Sequence, residues 1–134
     1  MLIHHLTFDA FREDDRYRSM MRNLPDDFRF AEYRRVWAYH SPPLHEPGFQ
    51  IDVFAQGDEE EHSLIGEVKH RKAKFAVKEA EAFVTKAEEL MKLENVGRVV
   101  LFVFSTGGFF KNTLAYLKKH DIAWTSDTRW LEKF

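Results

Sequence analysis

The 134-residue chain contains no cysteine, and it has no long apolar run. Without cysteine neither a disulfide framework nor a thiolate metal site can form, and a reducing compartment is the natural home of the protein. No apolar stretch approaches the roughly 20 residues that span a bilayer, and the N-terminal "MLIHHLTFDAF" lacks the basic-then-apolar order of a secretory signal. We therefore expect a soluble, cytoplasmic protein with no membrane partner.

The chain also has little net charge and no repeat or low-complexity tract. A formal charge of −2 argues against wholesale coating of nucleic acid, although it leaves room for a local basic patch. Hydrophobic residues make up 44% of the chain and include thirteen Phe, which is enough for one core. We expect a single domain over residues 1–134, with a variable N-terminal region at 1–48 and the functional core at 49–126.

The periodicity of the sequence predicts the order of the elements. A surface helix is predicted over 8–24, a strand over about 32–40, and a loop at "SPPLHEPG". From residue 49 the pattern is clearer: "FQIDVFAQ" and "HSLIGEVKH" are two strands joined by the charged tip "GDEEE", and Asn95 with Gly97 ends a helix that begins near residue 75. "RVVLFVFS" is typical of a strand buried on both faces, and "TGG", a helix and "DIAWTS" follow it.

These elements predict an α/β fold. The antiparallel hairpin and the later strand–helix–strand crossover belong to one mixed sheet with helices on both faces.

Charged residues inside two of the predicted strands form the candidate site. Glu67 and Lys69 are two residues apart in a strand and therefore share a face. Asp52 lies between Ile51 and Val53 in the preceding strand, so the hairpin can bring its carboxylate beside Glu67. The pattern predicts two acids and a lysine at one place.

Two neighbouring carboxylates favour a divalent cation, because like-charge repulsion and desolvation are otherwise costly. Mg²⁺ suits oxygen ligands and keeps several waters, so Asp52, Glu67 and the carbonyl of Val68 would suffice to hold it. Lys69 would then stand beside a metal-bound water or offset charge on a phosphate under attack. Hydrolysis of a phosphodiester is the chemistry that these groups fit.

The same residues carry a resemblance to a known family. "QIDV" with Asp52 and "GEVK" with Glu67 and Lys69 resemble the motif of the PD-(D/E)XK nuclease superfamily, and the order of elements over residues 49–126 is similar to its restriction-endonuclease-like core. The "TGGF" ending looks like Mrr-type nucleases and the nuclease-like domain appended to archaeal ATPases. The residue before the aspartate region is not proline, and many members of the superfamily also have another residue at this position.

The resemblance implies a metal-dependent endonuclease that hydrolyses DNA with Mg²⁺ or Mn²⁺. It implies Asp52, Glu67 and Lys69 as catalytic residues, and an ATPase or another module as a partner. Some members add a helper acid, for which Glu13 in the first helix and Glu81 in the helix after the lysine are the candidates.

A basic run follows the candidate site. Arg71, Lys72, Lys74 and Lys78 come after Lys69 without an intervening acid, and beside a metal site they would hold the backbone of DNA. A solvated connection between strand and helix is the alternative interpretation of the same run.

Other interpretations of the chain remain open. Asp52, Glu67 and Lys69 would form only a surface salt-bridge cluster if their face of the sheet were solvated. The chain would otherwise be an inactive relative of the nucleases that binds DNA, or a docking or dimerisation module, with a homodimer as one form. Zinc is disfavoured because no HExxH or i, i+4 histidine pair is present, and "STGG" lacks the spacing of a nucleotide-binding loop.

Overall fold

A five-stranded mixed sheet forms the centre of the protein. The computed structural model describes residues 2–131, and its strands follow the chain in the order β1-β2-β3-β4-β5. β1–β2 and β2–β3 pair antiparallel, whereas β3–β4 and β4–β5 pair in parallel. The predicted α/β fold with a hairpin followed by crossovers is confirmed at this level. The strands are β1 Arg35–His40, β2 Gln50–Gln56, β3 Ser63–Lys69, β4 Val99–Ser105 and β5 Ala123–Thr125.

Two helices provide the parallel crossovers. α3 (Val77–Leu93) connects β3 to β4, and α4 (Lys111–Lys119) connects β4 to β5. The buried side chains of α3 recur at the three- and four-residue spacing of a helix, and Asn95 follows its end with a φ of 52°. No helix within residues 2–131 is long and apolar enough to cross a membrane. The buried residues of α3 are Ala80, Phe83, Ala87 and Leu90.

The sheet separates two hydrophobic cores. One core places Val53, Leu64 and Phe102 against the N-terminal segment, and the other places Phe54 and Ile65 against α3 and α4. Helices therefore flank both faces. Tyr33, Tyr39 and Trp130 are buried aromatic members of these cores, each at most 9% exposed.

The predicted helix over 8–24 is wrong. Three short pieces replace it: α1 (Leu2–His4) with a π-helical turn (His5–Asp9), and then α2 (Asp14–Ser19). Helical geometry is interrupted at Glu13, whose φ of −116° and ψ of 48° are not helical. Asp14 then accepts a hydrogen bond from the backbone nitrogen of Phe30 at 2.7 Å, a long-range contact that local periodicity does not reveal.

A glycine lets β3 and β4 pack closely beside the candidate site. A Cβ atom at Gly66 would lie 2.2 Å from the ring of Phe102, which is itself buried. Gly66 is therefore required by packing, since no side chain fits between the strand and that ring.

We expect Gly66→Ala to lower the free energy of unfolding by about 1–3 kcal/mol, because the added methyl forces a buried ring to move. Gly97→Ala is the matched control, since a Cβ there meets nothing within 4 Å. Urea unfolding of both variants measures the difference. Trimming the ring in Gly66→Ala/Phe102→Leu should recover part of the loss, and equal midpoints for the two single variants would contradict the packing argument.

Candidate active site

β2 and β3 separate at the residues that the sequence predicts to be functional. Their ladder joins only Val53–Ala55 to Leu64–Gly66. Beyond it, residues 50 and 51 of β2 pair with β1, while residues 67–69 of β3 pair with β4. We call the gap between these unpaired strand ends the cleft; Asp52 lies on one side of it and Glu67 to Lys69 on the other.

A β-bulge sets the position of Asp52. β1 and β2 are in register at Trp37↔Phe54 and again at Tyr39↔Ile51, so Asp52 and Val53 together oppose one residue of β1. Bulges of this kind re-aim a side chain and often occur beside active sites. The exposed Asp52 uses its Oδ2 to accept a hydrogen bond from the backbone nitrogen of Val68 at 2.8 Å.

The carbonyl of Val68 faces the same cleft. In an extended strand the N–H and C=O of one residue point to the same side, and the N–H of Val68 points at Asp52. The carbonyl oxygen is therefore directed to the β2 side, beyond the end of the β2–β3 ladder. This orientation is the one that the sequence hypothesis requires of a backbone ligand.

Glu67 is buried and paired with a cation from α3. It is 6% exposed, and its Oε1 lies 3.1 Å from the Nζ of Lys86. A buried carboxylate without a partner is costly, so Lys86 offsets the charge of Glu67. The alternative interpretation, a solvated salt-bridge cluster, does not describe Glu67, because its partner comes from a helix and its carboxylate is buried.

Lys69 lies at the end of β3 and is half-buried. Its backbone carbonyl accepts a hydrogen bond from the nitrogen of Thr106 at 3.1 Å, which fixes the strand end against the turn after β4. The pKa of Glu79 is lowered first by a hydrogen bond from Arg71 and, to a smaller extent, by the positive charge of Lys69. The ammonium group of Lys69 therefore acts in the same environment as the first turn of α3.

Arg71 and Glu79 form an ion pair at the edge of this cluster. The guanidinium Nη2 of Arg71 donates to Oε1 of Glu79, which also accepts a hydrogen bond from the backbone nitrogen of Ala76 at 3.1 Å. The bond from Arg71 is the main cause of the lowered pKa at Glu79, and the same bond raises the pKa of Arg71. The guanidinium that the sequence assigns to DNA is thus already bound by a carboxylate.

The remaining lysines of the basic run are free of such an ion pair among the described residues. Lys72, Lys74 and Lys78 are exposed. Lys72 and Lys74 lie on the loop between β3 and α3, the basic loop, and Lys78 lies in the first turn of α3. The basic loop is fixed by the turn after β4, because Thr106 Oγ1 accepts a hydrogen bond from the backbone nitrogen of Arg71 at 2.9 Å and donates one to its carbonyl at 3.0 Å.

The "TGG" segment is a structural turn, as its sequence indicates. Gly108 has a φ of 81°, in the region that favours glycine. A Cβ atom at Gly107 would lie 2.3 Å from the carbonyl oxygen of Ala73, so the turn and the basic loop touch through their backbones.

The two candidate helper acids lie in other surroundings. Glu13 pairs with Arg16 at 3.5 Å in the N-terminal segment. Glu81 is exposed on α3 and faces Tyr116 on α4, whose pKa is raised first by burial and then by the charge of Glu81. Neither acid makes a described contact with Asp52 or Glu67.

Sequence reasoning missed Glu79 and Lys86 as members of the site. Together with Phe83 and Leu90 they recur at helical spacing on one face of α3, where the other two residues are buried. The sequence signal that could have identified Glu79 and Lys86 is their position on the apolar face of α3, because charged side chains on such a face need partners on the facing sheet.

The oxygen donors on the two strands are of the chemical type that magnesium binds. Asp52, Glu67 and the carbonyl of Val68 offer oxygen atoms from two strands, and Mg²⁺ commonly binds proteins through one or two carboxylates. Within residues 2–131 no group of three or more His, Cys, Asp or Glu side chains forms a complete metal cage. A cation here would depend on water or substrate for its other ligands.

Comparison of this chain with family models, with curated proteins and with solved structures finds no match.

Proposed function

We propose that the protein is a metal-dependent endonuclease with a restriction-endonuclease-like core that hydrolyses phosphodiester bonds of DNA. The observation that carries the proposal is the end of the β2–β3 ladder, which leaves Asp52 on its bulge across from Glu67 and Lys69. An acid from one strand and an acid-x-lysine from the next are the groups that metal-assisted attack on a phosphate needs.

Each residue of the cleft has a defined role in this reaction. Asp52, Glu67 and the Val68 carbonyl would hold the cation, which supplies Lewis acidity at the phosphate and lowers the pKa of water. Lys69 orients the attacking water and offsets negative charge that develops on the phosphate oxygens. The water oxygen forms the new bond to phosphorus and the bond to the leaving oxygen breaks, while the water proton passes to solvent and the leaving oxygen takes a proton from solvent.

Lys86 supports the site by neutralising Glu67. Its ammonium group contacts one carboxylate oxygen, so a cation that binds Glu67 competes with it for that oxygen. Lys86 is about one-third exposed and can turn to solvent when the carboxylate is occupied. This arrangement offsets the charge of a buried acid before a metal binds.

The exposed lysines of the basic loop bind the DNA backbone. Phosphate contacts fix the register of a nuclease on its substrate without reading sequence. The partner that the family resemblance implies is an ATPase or another module of a larger system.

Cleavage of plasmid and short DNA substrates tests the proposal directly. Strand scission is expected with Mg²⁺ or Mn²⁺ and none with a chelator present. The double variant Asp52→Asn/Glu67→Gln must be inactive, which separates this activity from a contaminating nuclease. Identical nicking by the parent and the double variant would refute the proposal.

Charge reversal at the exposed lysines of the basic loop and of the first turn of α3 is expected to weaken binding to DNA of any sequence. In Lys72→Glu or Lys78→Glu each lost phosphate contact should flatten the slope of log affinity against log salt by about 1. Lys92→Glu is the control, because Lys92 is an exposed lysine near the other end of α3, about 20 Å from Lys78 along the helix axis. Fluorescence anisotropy at several salt concentrations measures the slopes, and the same slope in all three variants would assign the run to solvent.

A second candidate function is a docking or dimerisation module that retains the nuclease-like fold. Exposed apolar side chains on the N-terminal segment favour it: Ile3 is 39% exposed, Phe8 57% and Phe11 49%. Patches of this kind often mark protein interaction sites. Specific binding of Mg²⁺ or Mn²⁺ at the cleft separates the two candidates, since only the nuclease requires it.

A further inference from the structure

An aromatic side chain stands exposed beside the basic loop. Phe110 is one of the large apolar residues that the described part of the chain leaves in solvent, with 48% of its surface exposed. The Nζ of Lys74 lies 5.7 Å from the centre of its ring, within the range of a cation–π contact. Single exposed apolar residues are common, but this one lies within a positive surface.

The backbone holds Phe110 in place. Its nitrogen donates to the carbonyl of Phe75 at 3.4 Å, and its own carbonyl accepts from Leu114 at 3.0 Å in the first turn of α4. The neighbouring Gly108 carbonyl accepts a hydrogen bond from the nitrogen of Phe75 at 2.9 Å. Because this backbone is already ordered, stacking of a planar ligand on the ring costs no further backbone entropy at Phe110.

The surroundings of the ring define the ligand chemistry. Exposed Lys74 contacts it, exposed Lys111 follows it in the chain, and the backbone of exposed Lys72 lies against the turn at Gly107. An aromatic face with adjacent lysines is the combination by which proteins bind single-stranded nucleic acid, with the bases on the ring and the phosphates on the cations. Bases of an intact duplex are already stacked and cannot occupy the ring.

We propose that Phe110 stacks on an unpaired base, so that the preferred substrate is DNA with a single-stranded segment. This inference rests on the proposed function, because that function places the DNA strand in the cleft. Thr106 bonds the carbonyl of Lys69 and is four residues from Phe110, a separation of at most about 14 Å. A strand at the cleft thus reaches the ring within a few nucleotides.

Binding of labelled oligonucleotides without divalent metal tests the stacking subsite. Phe110→Ala should weaken binding to oligo(dT) by about 5- to 150-fold, the range for loss of one base–aromatic stack. Phe110→Trp should retain parent affinity. Phe11→Ala is the matched control, since Phe11 is 49% exposed but lies in the N-terminal segment. An abasic oligonucleotide should abolish the difference between the parent and Phe110→Ala, and a blunt duplex should show little difference.

Several results would overturn the subsite: equal affinities of Phe110→Ala and Phe11→Ala for oligo(dT), a parent that does not bind oligo(dT), or an equal loss on the abasic strand. If Phe110→Ala loses binding to anionic vesicles but binds DNA as the parent does, the ring contacts a membrane surface and the stacking subsite is also refuted. Manganese titration of the parent in the same buffer keeps the two proposals distinct. If Phe110→Ala loses affinity only for strands that carry bases, and the parent binds no manganese, the stacking subsite is supported and the nuclease proposal is refuted.

Discussion

Asp52→Asn or Glu67→Gln abolishes manganese binding in isothermal calorimetry, while the far-UV spectrum stays that of the parent. Each change removes one anionic ligand, and Glu67→Gln also replaces the ion pair with Lys86 by a neutral contact. The amide oxygen that Asp52→Asn introduces can still accept the hydrogen bond from the backbone nitrogen of Val68, so the end of β3 keeps its geometry. Loss of binding in these variants therefore reports on ligands and not on unfolding.

Glu81→Gln is the matched control for this titration. It removes an equal charge from an exposed position on α3 that makes no described contact with the cleft, and it should bind manganese like the parent. The result also decides whether Glu81 is a helper acid. Parent-like affinity in both Asp52→Asn and Glu67→Gln would show that neither carboxylate is a ligand.

Lys69→Ala loses about 10²-fold or more of its DNA cleavage rate, yet it binds manganese and DNA much as the parent does. The expected loss is that of one well-placed electrostatic or acid–base group. The split between binding and turnover follows because Lys69 is not itself a ligand in this account and acts chiefly in the transition state. Single-turnover rates at saturating manganese give the comparison.

Lys78→Ala is the control for this effect, because it removes an exposed lysine from the same positive surface. Its cleavage rate at saturating DNA should remain close to that of the parent. A lysine that only forms a surface ion pair contributes about 0–1 kcal/mol to stability and nothing to turnover. Undiminished cleavage by Lys69→Ala would therefore remove it from the mechanism.

The elements from residue 49 onward were predictable because their signals are local. Alternation identified β2 and β3, and the continuous apolar run of β4 indicated a strand covered on both faces, as Phe102 and Val103 in opposite cores confirm. The N-terminal helix was wrong because its interruption at Glu13 depends on contacts with distant residues such as Phe30. Tertiary contacts here outweigh helical periodicity.

The candidate site was predictable only in part. The spacing of Glu67 and Lys69 placed them on one face, but the bulge that aims Asp52 arises from pairing with β1 and has no signature within β2 alone. Lys86 and Glu79 approach the cleft because α3 crosses back over the sheet, a placement that no local pattern specifies.

A manganese-soaked crystal, measured at a wavelength where manganese scatters anomalously, tests the central claim most directly. The account predicts an anomalous peak in the cleft between β2 and β3, within bonding distance of Asp52 and Glu67, with Lys86 moved away from the carboxylate of Glu67. An empty cleft at saturating manganese, with Lys86 still bound to Glu67, would contradict it.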